Sequence, residues 1–168
     1  LRYYWLVQEK ILQERGFDVD VFNFNARNFL GQINKIRKEN KISFFETIQV
    51  FLFFLKEIKF IEKLEKKAAY LRPREIKAGE TDRVLIAILE RLGKVKNGRD
   101  LEAIEKEIQD KFAKLEIKKT IPQLKIGLVG EIYTVIDSAV NFDLERRLGQ
   151  MGAQVNREMT LSYHLKKT

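Results

Sequence analysis

The alternation of apolar and polar positions divides the chain into helical and extended stretches. Tyr3 to Arg15 places Trp5, Leu6, Ile11 and Leu12 near one side of a helix. Gly16 offers that helix a left-handed end, and Phe17-Asp-Val-Asp-Val-Phe22 alternates as a strand. Near the other end the same order returns: Leu144 to Met151 has helical spacing, Gly152 stops it, and Ala153-Gln-Val155 reads as extended. Ahead of it, Pro122 closes what precedes, and Leu124 to Val129 is an apolar run of buried-strand length. Two helix–glycine–strand units, the second fed by a strand, predict helices packed on a mainly parallel sheet.

The stretch between them is helical. Ser43-Phe-Phe-Glu46 has the spacing of a capping box, in which each side chain satisfies a free backbone amide at the helix start. The helix it opens runs to about Lys67, with Phe51, Leu55, Ile58, Ile61 and Leu64 available for burial. Phe51-Leu-Phe-Phe-Leu55 is read as a hydrophobic contact between helices in preference to a base-stacking platform. Tyr70 to Ile76 reads as a short extended piece and Lys77 to Glu80 as a turn. Thr81 to Leu92 is a helix ended by Gly93, and Asn97-Gly98 is a turn. Asp100 is expected to cap a last helix through about Leu115, with Leu101, Ile104, Ile108, Phe112 and Leu115 inward.

Composition narrows the chemistry. The chain has 168 residues, 45% hydrophobic and 33% charged, with two prolines and nine glycines, which describes a folded domain with a real core. Cysteine is absent and His164 is the single histidine, so disulfides, thiolate metal sites, cysteine nucleophiles and histidine triads have no residues to build them. The net charge of +8 comes mostly from lysine, interleaved with glutamate as in Lys63-Leu-Glu-Lys-Lys67. That interleaving marks solvated helix faces more than a phosphate track, so nucleic acid is not expected as a partner. Val50 to Leu55 is the longest apolar run, too short to span a bilayer, and Lys10, Glu14 and Arg15 interrupt any early leader. A cytoplasmic location without membrane partners is the expectation. Leu1 opens the chain inside a helical pattern, which is read as an internal fragment of a longer polypeptide.

Gly130-Glu131 sits where the Leu124–Val129 strand ends, and in open parallel sheets ligands bind at that carboxyl edge. Glu131 suits orientation of a ligand hydroxyl or proton transfer; the plain alternative is a loop carboxylate bonded to nearby amides. Tyr133 either reaches the same crevice or packs as an ordinary aromatic. Asn141 and Asp143 precede a clear helix, where capping is the default and ligand contact the alternative. Arg72, Arg74 and Lys77, with Glu75 among them, read as a surface salt-bridge cluster, or as a phosphate contact. No phosphate-binding loop is present, and Gly127-Leu-Val-Gly130 lacks the further glycine of a dinucleotide fingerprint.

Gly127-Leu-Val-Gly-Glu-Ile-Tyr133, with Asn141, Leu144 to Leu148 and Gly152-Ala-Gln-Val155, resembles the 2-hydroxyacyl-CoA dehydratase family, in particular its branch associated with CoA-substrate-specific enzyme activases. Arg2 to Leu12 followed by Gly16-Phe17 is similar to the helix that follows a cluster-binding cysteine loop there, and Arg72 to Glu75 and Gly79 to Asp82 are similar to the middle of such chains.

The resemblance implies Rossmann-like domains, a four-iron, four-sulfur cluster beside an acyl-CoA pocket, and an ATP-dependent activator protein or domain that injects one electron. It divides the chain into the end of one Rossmann-like unit at 1–42, a mainly helical middle at 43–120 and the start of a second unit at 121–168. The reaction implied is loss of water from an acyl-CoA by radical chemistry, with the cluster held outside these residues because no cysteine lies within them. Glu131, Tyr133 and Asn141 are the ligand-binding candidates; the catalytic residues are not assigned, and no cofactor is expected within this stretch. The alternative is a non-catalytic scaffold that docks an activator or partner subunit through the helix from Ser43 to Lys67.

Overall fold

The computed structural model describes residues 4–18, 29–95, 97–119 and 124–163. Helix α1 spans Tyr4–Glu14, and Gly16 turns it off with a positive φ of 82°. Phe17 and Asp18 are not in a strand, and the rest of the expected strand lies outside the described residues, as does His164. Helix α2 spans Phe29–Glu39 and α3 spans Phe44–Leu71. The chain forms two compact units, Leu1–Phe51 and Leu52–Thr168.

The capping box forms as its spacing requires. The Ser43 hydroxyl accepts from the Glu46 N–H at 3.1 Å, and the Glu46 carboxylate accepts from the Ser43 N–H at 2.9 Å. Those hydrogen bonds, the backbone one first, hold the Glu46 carboxyl below its usual range. Helix α3 then runs 28 residues, past Lys67, and takes in Tyr70 and Leu71, where an extended piece was expected. Pro73, which has no N–H to donate, is accommodated in a 3-10 turn over Arg72–Arg74 that ends the helix.

Helices α4 (Glu80–Leu92) and α5 (Gly98–Ala113) follow. Asn97, not Asp100, caps α5: its side-chain oxygen accepts from the Arg99 and Asp100 N–H groups at 3.0 Å each. Asp100 instead sits in the first turn and accepts from the Asn97 amide at 2.8 Å. A helix starting at Gly98 needs its cap one position earlier, so the Asn-Gly pair begins the helix and does not merely turn the chain.

The core of the second unit lies among α3, α4 and α5. Phe60, Leu64, Ala68 and Leu71 from α3 meet Leu85, Ile88 and Leu92 from α4 and Leu101, Ile108 and Phe112 from α5. Each large side chain buried there contributes roughly 1.5–3 kcal/mol. The apolar positions of α5 read from the sequence face this core as expected.

Strands β1 (Lys125–Leu128) and β2 (Gln154–Arg157) pair in parallel, with Ile126 opposite Val155 and Gly127 opposite Asn156. A parallel pair needs a crossover, made here by α6 (Ile132–Ile136) and α7 (Leu144–Gln150). Val155, Ala153 and Val135 are buried, whereas β1 alternates exposed and half-buried residues. The apolar run from Leu124 to Val129 is thus less covered than its composition predicts: Leu124 and Val129 are both exposed. The described fold is mainly helical with a small two-stranded parallel sheet.

Candidate functional site

The three residues expected at the strand edge lie in one short segment. Glu131 occupies the N-cap position of α6, and one carboxylate oxygen accepts from the Tyr133 and Thr134 N–H groups at 2.9 and 3.2 Å. Tyr133 is 62% exposed in the first turn of that helix. The Asn141 amide donates to the Thr134 and Val135 carbonyls at 3.1 and 3.2 Å, and its oxygen accepts from the Leu144 N–H at 3.2 Å. Asn141 therefore ties the end of α6 to the start of α7. Asp143 stands before α7 in a left-handed conformation and makes no side-chain cap; it pairs with Arg146 at 2.6 Å.

A second and denser polar cluster surrounds the 3-10 turn. Arg72 and Arg74, expected on the surface, are buried at 7% and 6% exposure. The Arg72 Nε donates to Asp82 at 2.6 Å, and the other Asp82 oxygen accepts from Gln150 at 3.0 Å. Arg74 stacks 3.7 Å over the Tyr70 ring, donates to the Tyr70 carbonyl, and reaches Gln154 on β2 at 2.9 Å. Glu75 caps the turn into α4, accepting from the N–H groups of Gly79 at 2.5 Å and Thr81 at 2.8 Å. Lys77 alone of the expected basic group is exposed, 3.9 Å from Glu116.

Glu145 on α7 links this cluster to β2. It lies 3.5 Å from Arg72 and 3.7 Å from Arg157, and Arg157 in turn pairs with Glu65 on α3. Burial pushes the Glu145 carboxyl above its ordinary range, while the cations of Arg157 and Arg72 pull the other way and Glu65 adds to the rise. Gly149 lets α7 lie directly on the Arg72 stem; a Cβ there would sit 3.0 Å from Cδ and 3.2 Å from Cβ of Arg72. Arg72 Nη1 is buried without a hydrogen bond, its contact with Glu145 being a longer ion pair.

Beside this cluster a polar cleft of about 520 Å³ opens at the carboxyl end of β2. Glu145 and Arg157 line its inner wall, and Asn156, Glu158, Thr160 and Ser162 continue along the chain leaving the strand. Glu62 on the α3 side binds both the N–H and the hydroxyl of Ser162, which anchors that segment to the helix. Glu131, Tyr133 and Asn141 do not line this cleft. A pocketed carboxylate with a raised pKa is a recognised mark of a functional position. Sequence reading missed Glu145 and Arg157, whose partners lie tens of residues away.

Comparison with protein-family models, curated proteins and solved structures gave no match. The site therefore stands on its own geometry. That geometry offers a carboxylate whose pKa burial raises, an arginine already committed to two carboxylates, and hydroxyl and amide groups along the segment after β2. Such a set can bind a ligand through hydrogen bonds and hold or pass one proton at a Glu145 oxygen. Among the described residues, no helix is long and apolar enough to cross a membrane.

Proposed function

We propose that this chain is part of a protein resembling the 2-hydroxyacyl-CoA dehydratases, or of an activase-associated component of such a system. The sheet and its crossover would be the start of a Rossmann-like unit, and the parent would eliminate water from an acyl-CoA with an ATP-dependent activator supplying the electron. The observation that supports this reading is the cleft at the carboxyl end of β2 in a parallel strand–helix–strand unit, the edge at which such sheets take ligands. The motif residues Glu131 and Asn141 brace the same crossover, which fits a role in shaping that edge.

A four-iron, four-sulfur cluster does not fit the residues present, since the sequence has no cysteine. In this reading its ligands come from outside these 168 residues, and no step is derived through it. The deciding experiment is iron and acid-labile sulfide on the intact parent, purified and reconstituted without oxygen. About four of each per chain is expected. A well-folded parent without iron would remove the dehydratase reading.

A second reading, a scaffold that docks an activator or partner subunit, is favoured by one observation. Phe44, Phe45, Ile48 and Val50 are all exposed on the first turns of α3, and Phe51, Phe53 and Phe54 are only half-buried. An iron-free parent that loses co-elution with its activator on Phe45→Ser, at unchanged thermal stability, would establish it.

A further inference from the structure

A groove of about 510 Å³ runs between the second half of α3 and the segment that leaves α5. Its floor is apolar, formed by Leu71, Phe112, Leu115 and Ile117, with Tyr70 at one end. Its rim is basic: Lys63, Lys66 and Lys67 stand along it, and no carboxylate lines it. Leu71 and Phe112 belong to the hydrophobic core, whereas Ile117 and Tyr70 are 39% and 48% exposed.

The free charge on this rim has a structural cause. On a helix, Lys66 would pair with Glu62 one turn earlier, but Glu62 is committed to the N–H and hydroxyl of Ser162. Lys67 meets Lys63 at the same spacing, and Lys63 has turned to Glu105 at 2.7 Å. Among the described residues Lys66 and Lys67 have no ion-pair or hydrogen-bond partner. Two exposed ammonium groups, neither in contact with a carboxylate among the described residues, therefore flank an apolar trough.

We infer that this groove docks an acidic, amphipathic helical segment of a partner protein. Lys63 to Leu71 covers about 12 Å of helix axis at 1.5 Å per residue, which matches apolar anchors at i, i+4 and i+7 on an incoming helix. The anchors meet Leu115 and Ile117, and carboxylates beside them meet Lys66 and Lys67. Complementary charge sets orientation and encounter rate, and the apolar floor gives the contact its selectivity over other anions. The inference does not rest on the dehydratase reading: Lys63 and Lys66 line both this groove and the cleft beside β2, but Lys67 and the apolar floor with Ile117 belong to the groove alone, and no iron centre enters it.

The test is fluorescence anisotropy on the intact protein with three labelled peptides. One carries leucines at i, i+4 and i+7 flanked by glutamates; one has the same composition scrambled; one has lysine in place of glutamate. The first is expected to bind at least tenfold more tightly than the other two. Lys66→Glu/Lys67→Glu should weaken it at least tenfold, as should Ile117→Asp, with the far-UV circular dichroism of both variants unchanged. Equal binding of the scrambled peptide would show charge attraction without a groove and overturn the inference. So would full affinity in the Lys66→Glu/Lys67→Glu variant.

Discussion

Removal of the Asp82 carboxylate tests whether the buried ionic cluster holds α7 and β2 onto the helical core. The side chains of Arg72 and Asp82 are 6% and 10% exposed, and their 2.6 Å bond crosses from the 3-10 turn to α4. Asp82→Ala leaves the Arg72 guanidinium buried with only Glu145, 3.5 Å away, and strips Gln150 of its acceptor. Breaking a buried pair from one side costs about 3–5 kcal/mol, and the remaining Glu145 contact places this site near the lower figure. With an unfolding entropy of roughly 2.1 cal/mol/K per residue, a loss of about 3 kcal/mol lowers the melting temperature of a unit this size by about 10–15 °C.

The assay is urea unfolding followed by far-UV circular dichroism, which reads the loss of α3, α4 and α5. Arg72→Met/Asp82→Leu removes both charges and should recover most of the stability, giving a coupling of about 2 kcal/mol or more against the single substitutions. A loss below about 1 kcal/mol for Asp82→Ala, or single effects that simply add, would refute the claim that this pair carries the junction.

Gly149→Ala should destabilise by about 1–3 kcal/mol through overpacking against the Arg72 stem; in an Arg72→Ala background the same change should become neutral or favourable, because alanine is the better helix former. Thermal melts of the four proteins decide it. The raised carboxyl of Glu145 makes a stabilising contribution that is full below its unfolded pKa and is lost as pH rises through the higher folded value. Glu145→Gln should therefore flatten that part of the stability–pH curve; a curve of unchanged slope there would refute the raised folded value. Glu46 works in the opposite sense: its lowered carboxyl stabilises above its unfolded pKa and is lost as pH falls through the folded value. Ser43→Ala should cost about 1 kcal/mol of helix-start stability and speed hydrogen exchange at the Glu46 amide.

Local patterns carried most of the secondary structure. The capping box at Ser43, the glycine stops at Gly16 and Gly152, the two strands flanking the last helices and the apolar face of α5 all depend on residues within a few positions of one another. The same local reasoning failed at Tyr70 to Ile76, where Pro73 and two arginines look like a break from helix to loop. There the chain stays helical through Leu71, because Ala68 and Leu71 pack into the core and Tyr70 carries the Arg74 guanidinium on its ring. The Asn97-Gly98 pair misled for a related reason: the same two residues that favour a turn also make a good helix start.

The polar cluster was illegible for a physical reason. A buried arginine has the same hydropathy as an exposed one, and what distinguishes them is a partner placed by tertiary structure. Arg72 finds Asp82 ten positions on, but Glu145, Arg157 and Glu65 come together only once α7 and β2 have docked. Arg72 to Glu75 and Gly79 to Asp82 do stand out in the sequence as motif-like stretches, and the structure joins them to each other. The functional consequence follows from that joint. The cleft beside β2 is walled by Glu145 and Arg157, which the cluster holds in place, so a change at Asp82 should alter the shape of that cleft before it unfolds the chain.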